Sequence, residues 1–136
     1  METVLVVDDD DVVLRLMTRA IAMAGIRPVA TTSPGEALDH LQQQHFDVLL
    51  TDLMMDGING VELFRQARQE SPLLRGICFS GHLGQDEVRC ITAAGFDDCL
   101  IKPVRKDDLV PAIRRSLALR QHWLMRLDAV NASGEK

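Results

Sequence analysis

The sequence predicts a doubly wound α/β domain, in which helices cover both faces of a parallel sheet. Short apolar runs recur along the chain at Thr3–Val7, Arg27–Thr31, Asp47–Thr51, Gly76–Phe79 and Asp97–Ile101. In three of them the apolar residues are consecutive, as in strands that are covered on both faces. Segments with helical spacing alternate with the runs and are joined to them by a few residues. This arrangement favours right-handed crossovers between parallel strands.

Each run is followed by a segment whose apolar residues recur every three or four positions, as on one face of a helix. In the first segment the pattern covers residues 13–24, Leu16 included, and Gly25 stops it where a helix C-terminus is expected. Ser33 and Pro34 supply an N-cap and a first-turn proline for the second helix. The apolar positions of the last three helices are Val61, Leu63, Phe64 and Ala67, then Val88, Ile91 and Ala94, and finally Leu109, Ile113, Leu117 and Leu124. Asp10 and Asp11 are expected at the N-terminus of the first helix, and Gly95 closes the fourth.

The composition fits one folded domain. The chain has 136 residues, of which 46% are apolar and 26% are charged. Its formal net charge of −5 argues against a direct nucleic-acid partner, because binding phosphates calls for a basic face. With no signal-peptide pattern and no apolar run of about eighteen residues, we expect a cytoplasmic protein without a membrane segment. Cys78, Cys90 and Cys99 lack C-x-x-C spacing and are expected to be reduced, small core residues.

Polar side chains stand at the ends of four predicted strands. Asp8 and Asp9 follow the first strand, Asp52 the third, Ser80 the fourth and Lys102 the fifth. In a doubly wound sheet, ligands bind in the crevice beyond these strand ends. A carboxylate there can attack phosphorus, two further acids can hold Mg²⁺, and the hydroxyl and ammonium can bind phosphoryl oxygens. The set therefore suits phosphoryl transfer.

Four stretches in this order resemble the receiver domain of bacterial two-component response regulators: "VLVVDDDD", "DVLLTDLMMDGINGVEL", "ICFSGH" and "GFDDCLIKPV". The resemblance spans about residues 3 to 120. It implies a flavodoxin-like, five-stranded parallel sheet of order 2-1-3-4-5 flanked by five helices. It also implies a phosphorylation-activated signalling switch rather than an enzyme, whose chemistry is to accept one phosphoryl group and hydrolyse it slowly.

The resemblance assigns a role to each matching acid. Asp52 is the phosphoacceptor, and a sensor histidine kinase or phosphotransfer protein is the donor. Asp8 and Asp9 are the acidic pair that positions Mg²⁺, with Asp9 the more direct ligand and Asp8 acting partly through water. Asp52 itself and the backbone carbonyl of Met54 complete the implied metal site. Ser80 is the switch hydroxyl that moves toward the phosphoryl group.

The remaining matches lie in the loops around these acids. Lys102 is the lysine that pairs with the phosphoryl group, and the resemblance implies a cis peptide bond between Lys102 and Pro103. Gly57 and Gly60 occupy turn positions after the phosphoacceptor. Gly81 is small and keeps the approach to the site open.

Two positions depart from the family pattern. Asp56 replaces a usual proline, so that the loop is either more mobile or has a higher affinity for Mg²⁺. Cys99 replaces a usual aromatic switch three residues before Lys102, so we expect the readout of phosphorylation to differ. We add the hypothesis that His82, two residues after Ser80, orients the water that hydrolyses the acyl phosphate.

Two alternatives belong to other classes of function. The first is a haloacid-dehalogenase-type phosphatase, with Asp8 as nucleophile and Asp10 as acid and base. It would leave Asp52 without a role, and the acidic motif expected after the lysine is missing. The second is a pseudo-receiver that binds partners without phosphorylation, against which the complete set of acids, hydroxyl and lysine argues.

The last predicted helix continues beyond the usual receiver boundary. We expect a receiver at residues 1–120 and an extension of the last helix with a polar tail at residues 121–136. Apolar spacing continues through Trp123, which the sheet is not expected to cover. The extension either packs back on the domain or frays, or it leads to an output domain or forms a homodimer. If no output domain is attached, we expect the receiver to signal by contact with a downstream protein.

Overall fold

The computed structural model describes residues 1–55 and 57–132, in which strands and helices alternate. The strands are β1 (Thr3–Val7), β2 (Arg27–Thr31), β3 (Val48–Asp52), β4 (Arg75–Ser80) and β5 (Asp98–Ile101). The helices are α1 (Asp11–Met23), α2 (Pro34–Gln43), α3 (Gly60–Glu70), α4 (Gln85–Ala94) and α5 (Lys106–Ala132). The strands form one parallel sheet of order β2-β1-β3-β4-β5, which confirms the predicted fold. Among the helices described, none has the length and apolarity needed to cross a membrane.

The core has two halves, one on each face of the sheet. Successive residues of β1 point to opposite faces, so Val4 and Val6 pack with α1 and α5, whereas Leu5 and Val7 pack with α2, α3 and α4. All four side chains are 0% exposed. Burial of each such side chain contributes about 1.5–3 kcal/mol. The consecutive apolar runs thus arise because central strands are covered on both faces.

Helix ends follow the predicted signals. Ser33 caps α2 through its side chain, and Asp10 caps α1 by accepting from the N–H groups of the first turn. Gly25 follows α1 with a φ of +82°, and Gly95 ends α4 with a φ of +91°. Both glycines adopt the left-handed conformation that closes a helix at low steric cost.

Three residues that the sequence placed on apolar faces or in the core are exposed. One is Cys90 on α4, which was expected to be a small core residue. Leu16 on α1 is 66% exposed and Val88 on α4 is 42% exposed. Helix α1 packs on the sheet through Leu14, Met17 and Ile21. Leu16 fits the helical period but lies beside that face, because the apolar residues of α1 cover more than one side of the helix.

Helix α5 is much longer than the others and extends beyond the sheet. It has 27 residues, about 40 Å at 1.5 Å per residue. Its first half is buried through Leu109 and Ile113, whereas Trp123 is 50% exposed, as predicted. Between these parts, an Nη atom of Arg120 lies 3.0 Å from Oδ1 of Asp47, the residue before β3. Residues 133–136 of the predicted tail lie outside the described residues, and the division at residue 120 stays a prediction.

Candidate functional site

Asp52 is the last residue of β3, and its carboxylate is almost completely buried. Because β3 lies between β1 and β4, its end opens into the crevice formed by the loops after these strands. Asp52 is 6% exposed. Its Oδ1 atom accepts a hydrogen bond from the N–H of Met54 at 3.4 Å, and its Oδ2 atom lies 3.1 Å from Nζ of Lys102. The predicted reactive group is thus held at both oxygens.

Asp8 directly follows β1 and is 0% exposed. Its Oδ1 atom accepts a hydrogen bond from the N–H of Asp10 at 2.9 Å. Its Oδ2 atom lies 3.0 Å from Nζ of Lys102, in an ion pair that is not aligned as a hydrogen bond. Among the described residues, this buried oxygen therefore has a counter-charge but no well-aligned donor. It retains the capacity to bind a further cation.

Lys102 reaches the two carboxylates from the end of β5. The backbone N–H of Lys102 donates a hydrogen bond to the carbonyl of Ser80 at 2.8 Å, which fixes the start of the loop after β5. The peptide bond to Pro103 is cis, as the resemblance implied. Burial alone lowers the pKa of the Lys102 ammonium, but its contacts with Asp8 and Asp52 outweigh this effect, and the pKa is raised. Lys102 is therefore a permanent cation at neutral pH.

Burial and the contact with Lys102 have opposite effects on the pKa of Asp52. Burial is the largest influence and raises the pKa of the Asp52 carboxyl, and the negative charge of Asp8 raises it further. Contacts with Lys102 and with the N–H of Met54 lower the pKa but do not cancel the rise. Two carboxylates about 4 Å apart repel by about 4 kcal/mol at an effective dielectric near 20. The site thus favours an additional cation beside Lys102.

Three acids can supply ligands for such a cation. Asp8, Asp9 and Asp52 each offer a carboxylate oxygen, and these atoms lie within 4.8 Å of one another. Oxygen ligands of this kind suit Mg²⁺, and Asp9 is exposed, which leaves room for water ligands. The unaligned Oδ2 of Asp8 is an atom that a cation would satisfy. The residues therefore fit a divalent metal ion, whereas the carbonyl of Met54 stays a predicted ligand.

The switch hydroxyl lies at the end of β4 and is engaged in its own loop. Ser80 Oγ donates to the carbonyl of His82 and accepts from the N–H of His82 at 3.2 Å. The His82 side chain is 82% exposed, with Nε2 3.5 Å from Oε1 of Glu87. A Cβ atom on Gly81 would meet open space. To donate to any other group, the Ser80 hydroxyl must give up its hydrogen bond to the His82 carbonyl. The roles of these loop residues stay predictions.

The loop after Asp52 contains the two predicted turn glycines. Gly57 has a φ of +88°, which favours glycine. Gly60 begins α3 directly beneath the acceptor, and a Cβ atom there would lie 2.3 Å from the carbonyl oxygen of Asp52. The close packing of α3 on the end of β3 thus requires a glycine. Asp56, the predicted modulating residue of this loop, lies outside the described residues.

Cys99 is not part of the acidic cluster. It lies in β5, paired in register with Cys78 of β4, and packs against the half of the core that contains α3 and α4. Cys99 as a whole is partly exposed. The expected effect of Cys99 on the readout of phosphorylation stays a prediction.

The structure contains an apolar groove that the sequence analysis missed. This α1–α5 groove has a volume of about 740 Å³ and lies between α1, the loop after β5 and the start of α5. Leu16 and Met23 line it on α1, and Lys102 and Pro103 line it beside the acidic cluster. Met23 is 71% exposed. The sequence did contain a signal for this groove, because α1 has more apolar residues than one buried helix face needs.

Known proteins resemble this chain in sequence. The response regulator receiver domain family matches residues 4–114. The DNA-binding transcriptional regulator NtrC of Escherichia coli K12 is 33% identical over 113 residues, which are 83% of this chain and 24% of NtrC. The virulence sensor protein BvgS of Bordetella bronchiseptica is 40% identical over 125 residues, 85% of this chain and 10% of BvgS. The chain thus spans less than a third of these relatives.

Solved structures share the fold. A CheY-like receiver domain protein from Methanospirillum hungatei superposes with a TM-score of 0.85 at 24% identity, over 90% of this chain and 98% of that chain. The chemotaxis protein CheY4 of Vibrio cholerae superposes with a TM-score of 0.82 at 24% identity, over 86% of this chain and 99% of that chain. The sequence match and the acidic cluster at the strand ends agree. The chain belongs to the response regulator receiver domain family of two-component signalling.

Proposed function

We propose that Asp52 accepts a phosphoryl group from a phosphohistidine of a sensor kinase or phosphotransfer protein, and that the chain acts as a phosphorylation-controlled switch. The observation that carries this proposal is the buried carboxylate of Asp52, paired with Lys102 and grouped with Asp8 and Asp9. Its chemistry is acceptance and slow hydrolysis, not turnover of an external substrate. We also propose a cytoplasmic location, with the receiver at residues 1–120 and a helical extension at residues 121–136.

Transfer begins with an ionised Asp52. Burial raises the pKa of Asp52 and Lys102 opposes that rise, and the reactive form is a carboxylate that burial leaves poorly solvated. A carboxylate oxygen forms a bond to phosphorus while the phosphorus–nitrogen bond to the donor histidine breaks, and the electron pair leaves with the imidazole. A poorly solvated carboxylate loses little hydration on approach, which favours the reaction.

After transfer, the phosphoryl group brings additional negative charge to a site with one lysine. Lys102 can then pair with a phosphoryl oxygen, and the Ser80 hydroxyl can turn from the His82 carbonyl to donate to another. Asp8, Asp9 and Asp52 would hold Mg²⁺, which supplies positive charge for the carboxylates and the phosphoryl oxygens. The movement of Ser80 and Lys102 changes the loops after β4 and β5, and through them the surface offered to a partner.

The α1–α5 groove is the surface best placed to receive the donor. A phosphohistidine protein must bring its phosphorus to Asp52, so it must contact surfaces that border the acidic cluster. Lys102 and Pro103 belong to both the cluster and the groove. The groove floor is apolar and its rim carries Arg19 and Lys106. We therefore infer a donor that presents apolar side chains flanked by acids.

The extended part of α5 is proposed to bind a second copy of this chain. Leu119, Trp123 and Leu127 are spaced by four residues along one side of the helix and are 45%, 50% and 48% exposed. Such a stripe is complementary to itself across a two-fold axis. A downstream protein or an attached output domain would then respond to the arrangement of the pair.

Chemical labelling tests the phosphoacceptor. The chain is treated with acetyl phosphate and Mg²⁺, reduced with borohydride to trap any acyl phosphate, and mapped by mass spectrometry. Label on Asp52 that is lost in Asp52→Asn supports the proposal. Label on Asp8 instead supports the phosphatase alternative, and the absence of label from all aspartates supports the pseudo-receiver alternative. Either of the last two results overturns the proposed function.

A further inference from the structure

Cys78 and Cys99 lie opposite each other on neighbouring strands, close to the acidic cluster but outside it. The register of β4 and β5 pairs the two residues directly. Neighbouring strands are about 4.8 Å apart, and disulfides join Cα atoms that are about 4.4–6.8 Å apart. The two side chains are on the same face of the sheet, in or against the same half of the core. A bond between them therefore needs little movement of the backbone.

The two thiols differ in their access to solvent. Cys78 is 0% exposed, and its Sγ atom lies 3.7 Å from the carbonyl oxygen of Asp98, so its thiol is directed at β5. Cys99 is partly exposed because β5 is an edge strand. A small solute in water thus reaches Cys99 first, and Cys78 lies behind it.

The thiols also differ in acidity. The pKa of the Cys99 thiol is lowered because Cys78 can donate a hydrogen bond to its thiolate, an effect that exceeds the opposing influence of burial and of Asp98. The same hydrogen bond, followed by burial, raises the pKa of Cys78. The thiolate is the reactive form of cysteine toward oxidants. The less buried member of the pair, Cys99, is therefore also the more reactive one.

We propose that Cys78 and Cys99 form an oxidation site at which hydrogen peroxide converts the two thiols into a disulfide between β4 and β5. The Cys99 thiolate attacks one peroxide oxygen, the oxygen–oxygen bond breaks, and the departing hydroxide takes up a proton as water, leaving a sulfenic acid. The Cys78 sulfur then attacks the sulfenic sulfur, and the sulfur–oxygen bond breaks. The second water leaves with the proton of Cys78. Two thiols thus lose two electrons, and one peroxide becomes two waters.

The bond would lie directly below the switch residues. Cys78 precedes Ser80 by two residues in β4, and Cys99 precedes Lys102 by three. Ser80 and Lys102 are already joined by a backbone hydrogen bond of 2.8 Å. A disulfide would fix the spacing of both strands at the point where these side chains must move. We therefore expect slower phosphorylation of Asp52 after oxidation, an effect that rests on the proposed function, whereas the disulfide itself does not.

The test uses a Cys90→Ser background. Cys90 is exposed and would form bonds between chains. In addition, no Lys or Arg lies between Cys90 and Cys99, so both would fall in one tryptic peptide, which runs to Arg105 because trypsin does not cut before Pro103. The protein is treated with hydrogen peroxide, unfolded, alkylated and digested without reductant. We expect the peptide of residues 76–89 linked to that of residues 90–105 in a monomeric chain, and release of the link by dithiothreitol.

Two further variants keep the test decisive. Adding Cys99→Ser or Cys78→Ala to the background is expected to abolish the link. Conversion of Cys99 to sulfinic acid while Cys78 remains free for alkylation would overturn the proposal, as would disulfides found only between chains.

The labelling rate with acetyl phosphate is then compared in reduced and oxidised protein. We expect at least a threefold decrease that dithiothreitol reverses and that the Cys99→Ser background does not show. A disulfide with an unchanged labelling rate would overturn the regulatory part of the proposal. Absence of label in the reduced protein would instead count against the proposed function.

Discussion

Lys102 is shared by two buried carboxylates, and its removal leaves both without a counter-charge. In Lys102→Met we expect the pKa of Asp52 to rise further and the rate of labelling by acetyl phosphate at neutral pH to fall by about tenfold or more, because the phosphoryl group also loses its cation. Intact mass spectrometry over time measures the rate. Lys106→Met, which removes an exposed cation nearby, is the control. Equal rates in the two variants would contradict this role for Lys102.

The ring of His82 stands in solvent beside Glu87, on the loop that follows Ser80. If it orients the water that hydrolyses the acyl phosphate, His82→Ala is expected to lengthen the lifetime of the Asp52 phosphate by about threefold or more, because a group that positions the attacking water is lost. The lifetime is measured by the loss of phosphorylated mass after dilution of acetyl phosphate. His122→Ala, an exposed histidine on α5, should leave it unchanged. An unaltered lifetime in His82→Ala removes the hypothesis.

The close contact between α3 and the end of β3 depends on Gly60, which has no side chain. A Cβ atom at Gly60 would lie 2.3 Å from the carbonyl oxygen of Asp52, a backbone atom that cannot turn away. We expect Gly60→Ala to lower the free energy of unfolding by about 1–3 kcal/mol, as overpacking does. Urea denaturation followed by circular dichroism measures the loss. In Gly35→Ala, where the nearest atom would be 3.6 Å away, stability should be equal or higher.

The exposed stripe on α5 predicts association of the whole chain. We expect a concentration-dependent dimer in size-exclusion chromatography with light scattering, and a shift to monomer in a Leu119→Ser, Trp123→Ser double variant, because the buried apolar area is lost. Met125 is 61% exposed but lies on another side of the helix, so Met125→Ser is the matched control. A parent chain that is monomeric at all concentrations would contradict a second copy as partner.

The balance of charge in the site affects the stability of the whole molecule. Because burial raises the pKa of Asp52, the folded state binds a proton there more readily than the unfolded state does. The contribution of Asp52 to stability is therefore present at low pH and lost as pH rises through its folded-state pKa. We expect Asp52→Asn to be more stable than the parent at pH 7 without metal, and this advantage to shrink as pH falls through the folded-state pKa of Asp52. Urea titrations at each pH measure the difference in the free energy of unfolding between Asp52→Asn and the parent. A difference that grows toward low pH would contradict a raised pKa of Asp52.

The fold was predictable because each local signal agreed with the same architecture. Consecutive apolar residues in β1 indicated a strand covered on both faces, and Ser33, Gly25 and Gly95 marked helix ends through capping and backbone preferences that act within a few residues. The positions of Leu16 and Val88 were wrong, because helical period tells which residues share a face but not how wide the buried face is.

The candidate site was predictable only in part. The parallel sheet brings strand ends together, so the grouping of Asp8, Asp52 and Lys102 followed from topology. The ion pairs within this group did not follow from topology, because Lys102 could have paired with either Asp8 or Asp52. In the structure it contacts both. The proximity of Cys78 and Cys99 depends on the register of β4 and β5, which the sequence pattern does not define to one residue.

The contact of Arg120 with Asp47 has a mechanical consequence. Asp47 directly precedes β3, a strand of five residues about 17 Å long, and Asp52 is its last residue. The ion pair therefore attaches α5, where it leaves the sheet, to the start of the strand that ends at Asp52. A displacement of Asp52 along β3 can therefore reach the exposed half of α5 through Asp47 and Arg120, without passing through β5.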